Sequence, residues 1–223
     1  QEYSYALGNN RPSLTGIVAV SDEEAWAVGG RYIFHKADND SVWVRSHTTN
    51  NGYSLYGITS HNIGGNTLTA VGGSADDGCW MVNYNGSAPS PSWTETQISG
   101  CNGPLLNITA SATLIFMNNA TELIRYNGMS SQASGLASLV NDLYFSPLAD
   151  QLYIAGDNGY LVICDNTGTG CTTRTGFGVA DLTGVAMLDN LNGYAISRSG
   201  TFFQTTDAGL TWTQRQTVNS NLY

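Results

Sequence analysis

An all-β chain built from repeated four-stranded units is what this sequence predicts, on three observations. A short apolar motif returns about every forty residues. After each copy come further short runs rich in β-branched and aromatic residues and bounded by Gly, Asn or Asp, which is a strand signature. The composition agrees: 26 of 223 residues are Gly and only 11% are charged, which suits tight turns between strands. No stretch holds the 3.6-residue apolar period of an amphipathic helix for three turns.

The first run is Leu14-Thr15-Gly16-Ile17, repeated as Leu55-Tyr56-Gly57-Ile58 and Leu182-Thr183-Gly184-Val185. Weaker copies are Leu105-Leu106-Asn107-Ile108 and Leu139-Val140-Asn141-Asp142-Leu143, the last read with one extra residue. The second run often ends in glycine, as in Ala25-Trp26-Ala27-Val28-Gly29-Gly30, Leu68-Thr69-Ala70-Val71-Gly72-Gly73 and Leu152-Tyr153-Ile154-Ala155-Gly156. The third runs include Tyr32-Ile33-Phe34, Leu123-Ile124-Arg125-Tyr126 and Thr201-Phe202-Phe203-Gln204. The fourth, more polar, carries Trp43, Trp93 and Trp212 in three units.

Five such units, joined by turns too short for crossover helices, describe a five-bladed β-propeller with four antiparallel strands per blade. The expected arrangement is a single domain with blades at about 14–54, 55–104, 105–138, 139–181 and 182–217. Tyr3-Ser4-Tyr5-Ala6-Leu7 is an additional strand that closes the ring or pairs with a neighbour. The first strand of each blade lies innermost, so the inner runs are expected to be the most apolar and glycine-dense. A two-sheet sandwich also uses many short strands, but leaves the fivefold four-strand pattern unexplained.

Between the third and fourth runs of the last unit lies Thr205-Thr206-Asp207-Ala208-Gly209-Leu210-Thr211-Trp212. An Asp carboxylate can accept N–H bonds within its own loop, Gly209 can take positive φ, and Trp212 can pack over the hairpin. The segment resembles the Asp-box, the S-x-D-x-G-x-T-W repeat of sialidases, sortilin-type receptors and Ycf48-like photosynthesis assembly factors. Thr205 stands in place of Ser; Asp207, Gly209, Thr211 and Trp212 match. The resemblance implies a propeller with the box on its rim, away from any active site. The L-x-G-I and A-V-G-G skeleton is also similar to Ycf48-like repeats, although five units and few arginines set it apart from the photosystem factor itself. Equivalent turns are degenerate: Asp38-Asn39-Asp40-Ser41-Val42-Trp43 lacks the Gly, while Asn85-Gly86 and Asn127-Gly128 are hairpin dipeptides. Cys164 and Cys171 are placed to close the fourth unit's hairpin, leaving Cys79 and Cys101 as the natural second pair.

Four Cys without a CxxC spacing favour disulfides over zinc. Sequons occur at Asn39, Asn85, Asn107 and Asn119, and the chain begins at Gln1, as a processed product would. The expectation is a secreted, N-glycosylated protein. Eight Lys and Arg against 17 acids give a net charge of −9, which leaves no basic stripe for nucleic acid. No apolar run approaches the ~20 residues of a membrane span.

The sialidase resemblance implies an arginine triad, a Tyr–Glu nucleophile and an Asp acid. Arg11, Arg31, Arg45, Arg125, Arg174, Arg198 and Arg215 do not fall into that pattern on inner-strand starts. The acidic groups Asp22-Glu23-Glu24, Asp76-Asp77 and Asp189 read as solvated turns. His35, His47 and His61 show no metal spacing, and Asp38-Asn39-Asp40 opens like a calcium loop without its later Gly and Glu. No catalytic motif, metal or cofactor is expected.

Three non-catalytic readings remain. The first is an extracellular structural or assembly module of a matrix, sheath or filament, whose partner is itself; low charge, abundant Tyr and Thr and the tail Asn219-Ser220-Asn221-Leu222-Tyr223 suit it. The second is a lectin-like propeller binding extracellular glycans through Tyr53, Tyr56, Asn102, Phe177 and Tyr194, although these loops differ between units. The third is a receptor-like propeller with a protein ligand.

Overall fold

The computed structural model describes residues 12–37, 42–86 and 89–217. The expected strand 3–7, the tail 219–223 and the Asn39 sequon lie outside them. The described residues form twenty strands and no helix.

The first sheet holds β1 (Gly16–Ala19), β2 (Ala25–Gly29), β3 (Tyr32–Lys36) and β4 (Val44–Thr48). The second holds β5 (Ser54–Ile63), β6 (Asn66–Ser74), β7 (Gly78–Asn85) and β8 (Ser92–Gln97). The third holds β9 (Asn107–Ala110), β10 (Ile115–Asn118), β11 (Glu122–Tyr126) and β12 (Ser131–Gly135). The fourth holds β13 (Val140–Ser146), β14 (Gln151–Gly156), β15 (Leu161–Asp165) and β16 (Thr172–Arg174). The fifth holds β17 (Leu182–Met187), β18 (Gly193–Ser197), β19 (Thr201–Thr205) and β20 (Thr213–Thr217). In every sheet sequential strands are neighbours, the up-and-down order of a propeller blade. The fold is a five-bladed β-propeller.

The chain divides between Ile108 and Thr109 into two compact units. In the first, β5 packs on β1 and β2 over a core of Trp26, Val28, Ile33, Leu55, Leu68 and Val82. In the second, β13 packs on β10, and β17 on β13 and β14. Its two cores centre on Phe116, Leu143 and Val162, and on Tyr153, Phe203 and Trp212.

Burial corrects one expectation. Three of the second strands are among the most buried: β10 is buried throughout, and β2 and β14 at every residue but the first, whereas β18 leaves Tyr194 exposed. The first strands are partly exposed, with Ile17 at 67%. A second strand has a strand on each edge and a packed layer on each face, so both rows of side chains leave water. A first strand has one free edge.

The glycines of the second run have a common cause. A Cβ on Gly29, Gly72 or Gly156 would collide with the carbonyl oxygen of Ser13, Ser54 or Leu139 respectively. In all three sheets the chain entering the first strand crosses the end of the second at backbone contact distance. The close approach, rather than positive φ, excludes a side chain there.

The register also revises the fourth copy of the repeat. Leu55 and Val140 oppose Gly72 and Gly156, and the irregularity after each falls at the same step, Leu55/Gly57 and Val140/Asp142. Leu182/Gly184 repeats it. The motif of the fourth sheet therefore starts at Val140, with no extra residue, and Asp142 takes the place that glycine holds elsewhere.

Candidate functional site

The hairpin between β19 and β20 is closed by its own side chains. Asp207 Oδ1 accepts the Thr211 N–H at 2.8 Å and the Thr205 hydroxyl at 2.8 Å, while Oδ2 accepts the Thr211 hydroxyl at 2.6 Å. Thr205 Oγ1 accepts the Gly209 N–H at 2.9 Å, and Trp212 Nε1 donates to Gly209 O at 3.1 Å. Gly209 has φ 82°. The Thr211 hydroxyl and N–H hold the Asp207 carboxyl below the usual range. All the strong acceptors face the loop itself, so the arrangement is a turn lock.

The same device recurs with other residues. Asp165, at the end of β15, accepts N–H bonds from Thr167, Thr169 and Gly170 at 2.9–3.0 Å and the Thr167 hydroxyl at 2.6 Å. Those bonds, the Thr167 hydroxyl first, hold its carboxyl well below the usual range. Asn127 Oδ1 caps the turn after β11 through Met129 and Ser130, and Asp189 caps the β17–β18 loop through Leu191 and Asn192. Both expected disulfides are formed, Cys79–Cys101 and Cys164–Cys171, with Cα separations of 5.7 and 3.9 Å.

Of the five expected sugar contacts, two are buried. Tyr53 is buried, stacked on Trp80 at 4.9 Å with its hydroxyl donating to Glu95 at 2.8 Å. Phe177 is buried against Phe203 and Trp212. Neither presents a ring to solvent, which corrects the expectation of exposed loop aromatics. Asn102 and Tyr194 are exposed and Tyr56 is half-buried. Among the sequons, Asn119 is also inaccessible: it is 3% exposed, and its Nδ2 donates to Glu122 at 2.7 Å. Its Oδ1 accepts the Thr121 and Glu122 N–H groups, so the Asn-Ala-Thr sequence builds an inward Asx turn. Asn85, closing β7, and Asn107, opening β9, are half-buried.

A groove that sequence reading missed lies in the first unit. Val20, Glu24, Trp26, Thr67, Leu68, Tyr84 and Gly86 line a cavity of about 290 Å³ between the first and second sheets. Trp26 stacks on His35 at 3.8 Å, and Tyr84 and Trp93 lie 5.2 and 5.6 Å from it. Glu24 is turned inward, its Oε1 accepting Trp26 Nε1 at 3.0 Å and lying 3.0 Å from His35 Nε2. Below it, Glu95 of β8 joins the sheets, lying 2.9 Å from His47 Nε2 and accepting the Asn50 N–H at 2.9 Å. Among the described residues, no three His, Cys, Asp or Glu are grouped to hold a metal ion.

The sheets and their self-locked outer turns define the class as a β-propeller. No family model matches the chain, and no curated protein is similar to it in sequence. Solved propellers are similar in fold. The WD40 propeller domain of Doa1 aligns with TM-score 0.69 and 13% identity over 90% of this chain and 67% of that one. Ycf48 bound to D1 peptide aligns at 0.65 and 13% over 91% and 66%. Virginiamycin B lyase from Staphylococcus aureus, an enzyme, aligns at 0.70 and 12% over 93% and 71%. This chain thus spans about two thirds of their lengths, and at such identities the likeness is one of fold.

Proposed function

We propose that the chain is a secreted, N-glycosylated, non-catalytic propeller serving as an extracellular structural or assembly module, a subunit of a matrix, sheath or filament. The observation that carries this reading is an apolar end on the fourth and fifth sheets. Leu148 in the β13–β14 loop, Leu188 and Leu191 in the β17–β18 loop, and Leu210 in the β19–β20 turn are 67, 66, 49 and 60% exposed. In an up-and-down sheet, loops after the first and third strands leave by the same end. Here they are tied together: Ala208 N donates to Leu191 O at 2.9 Å, and the Tyr153 hydroxyl to Ala208 O at 3.3 Å. Grouped exposed leucines mark an association surface.

Three further features support it. Asp165, Asp189 and Asp207 are consumed by their own turns, while Glu24 and Glu95 face histidines, so these five carboxylates already have partners. Two disulfides suit an oxidising compartment. A propeller of similar fold has been captured with a bound peptide, which supports a polypeptide partner.

Sedimentation and negative-stain microscopy of the native protein test the reading. Concentration-dependent assembly, lost in the double variant Leu191→Asp/Leu210→Asp, is expected; a monomer at every concentration overturns it. Intact mass before and after deglycosylation tests export, and an unchanged mass counts against it.

A carbohydrate-binding reading is favoured by the Trp26–Tyr84 groove, where an aromatic wall adjoins a carboxylate that could accept sugar hydroxyls. A glycan array is its test, and an array without binding excludes it.

A further inference from the structure

Arg125 is the penultimate residue of β11, opposite Phe116 on β10 and Gln132 on β12. Its Nε is buried and has no hydrogen-bond partner. The two ion pairs among the described residues are both His–Glu pairs, so no described carboxylate lies within 4 Å of this guanidinium. A guanidinium cannot shed its charge, and a desolvated N–H left without an acceptor is destabilising. Arg174 Nε is likewise buried without a partner, so it is the pair of cavities beside Arg125, together with the orphaned N–H, that marks the place.

The surroundings are built around that cation. The 165–170 turn, pinned by Asp165 and by the Cys164–Cys171 bridge, covers its stem with Gly168, φ 69°. A Cβ on Gly168 would lie 2.8 Å from Phe116 Cε1 and 3.1 Å from Arg125 Cδ, so backbone alone fits. On either side of Arg125 is a cavity to which both it and Thr169 contribute. One, of about 250 Å³, is lined also by Asn127, Ser130, Gln132 and Thr167. The other, of about 280 Å³, is mostly apolar, lined by Leu123, Leu136, Ile154 and Val162 with Ser134 and Tyr160. Arg125 is the only charged side chain lining either cavity. The nearby Asp165 is turned into its own loop by the bonds from Thr167, Thr169 and Gly170.

We propose that this groove between the third and fourth sheets binds the carboxylate of an acidic sugar, with Arg125 as its anchor. A guanidinium fork matches a carboxylate bidentately. The hydroxyl and amide side chains around it match sugar hydroxyls, and Tyr160 offers an apolar wall. Cavities of this size fall just below the usual range of ligand sites and suit one ring rather than a nucleotide or peptide. The site lies in the second unit and is lined by none of the exposed leucines or the Trp26 groove residues. It stands or falls apart from both readings above.

The test is titration of the whole chain with glucuronate, followed by ¹H–¹⁵N chemical shifts, with glucose and glucose 6-sulfate as matched probes. Expected is saturable binding of glucuronate that perturbs Gly168 and Thr169, at least tenfold weaker for glucose and for the sulfate. Arg125→Met is expected to abolish it while the melting temperature stays level or rises, since the guanidinium has no partner to lose. Arg125→Lys, which keeps the charge and loses the fork, is expected to weaken it about tenfold. Equal binding of glucose, binding undiminished in Arg125→Met, or no binding of glucuronate each overturns the proposal. Preference for the sulfate overturns the carboxylate assignment. A fall in melting temperature with Arg125→Met and no change in glucuronate shifts assigns Arg125 a structural role instead.

Discussion

The Asp142 carboxylate accepts the backbone N–H of Val185 at 2.9 Å, joining the first strand of the fourth sheet to the first strand of the fifth. The neighbouring Asn141 Nδ2 reaches the Leu182 carbonyl at 2.9 Å, and in the first unit Thr15 Oγ1 reaches the Leu55 carbonyl at the same distance. Side chains in or just before a first strand thus link successive blades.

Asp142 sets the first prediction. Burial pushes its carboxyl up to about 6, against the pull of the Val185 and Leu143 N–H bonds. The native state therefore binds a proton more readily than the unfolded chain between about 4 and 6. Its contribution is greatest below that window and is lost as pH rises through it. Asp142→Asn keeps an acceptor for Val185 and removes the buried charge. Urea melts should find it more stable than wild type at pH 7.5 by about 2 kcal/mol, discounted for partial exposure, and equal at pH 4. A less stable Asn variant at pH 7.5 would show that the charged hydrogen bond outweighs desolvation.

His61 on β5 carries the opposite slope. Burial lowers it to about 4. Its Nδ1 accepts the Ile63 N–H at 3.1 Å, which assigns the proton to Nε2, 2.7 Å from Thr69 Oγ1; that hydroxyl donates onward to Asn83 at 2.7 Å. Here the unfolded chain binds protons first, so stability is full above about 6.5 and falls as pH drops towards 4. His61→Gln should remove about 2 kcal/mol of that loss. In wild type the two slopes offset one another. The net stability change between pH 6.5 and 4 should be small, with a steeper fall below as Asp165 and Asp207 protonate. Melts across pH 3–8 for wild type and both variants resolve the three components.

The two disulfides differ in the loop each closes, 22 residues for Cys79–Cys101 and 7 for Cys164–Cys171. Chain entropy assigns them about 3 and about 2 kcal/mol respectively. Replacing the first pair by alanine should therefore destabilise more than replacing the second, read from denaturation midpoints. The order would invert if the shorter bridge acts mainly by holding Gly168 against Phe116 in the folded state.

The fold was legible because each blade is a noisy copy of the others, and strand runs, turn dipeptides and cysteines recur at one period. What escaped depends on neighbours the period does not name. Tyr53 and Phe177 looked like loop aromatics, yet Gly52, Gly176 and Gly178 at positive φ turn them inward to anchor the connections before β5 and β17. Glycine beside a lone loop aromatic was the available signal. Asn119 carries a sequon whose residues also make an Asx turn, and the turn won. Trp26 belongs to a second-strand run while His35 and Tyr84 fall outside the quoted runs, and only the pairing of β2 with β3 and the packing of the second sheet bring the three together.

Gly72 gives the last prediction. It shares its role with Gly29 and Gly156: a methyl there would strike the Ser54 carbonyl, which belongs to the chain entering β5. That backbone cannot withdraw freely, because Leu55 N donates to Gly30 O at 2.7 Å and Leu105 N to Gly72 O at 3.1 Å. Gly72→Ala should cost about 2–3 kcal/mol through overpacking. Gly135, in β12, has nothing within 4 Å of its Cβ direction and no positive φ, so Gly135→Ala should be neutral or slightly stabilising. Thermal melts of the two variants side by side decide the matter. If both lose little, the strand has room to shift, and the glycine in the repeat reflects turn formation at Gly73 (φ 138°) instead.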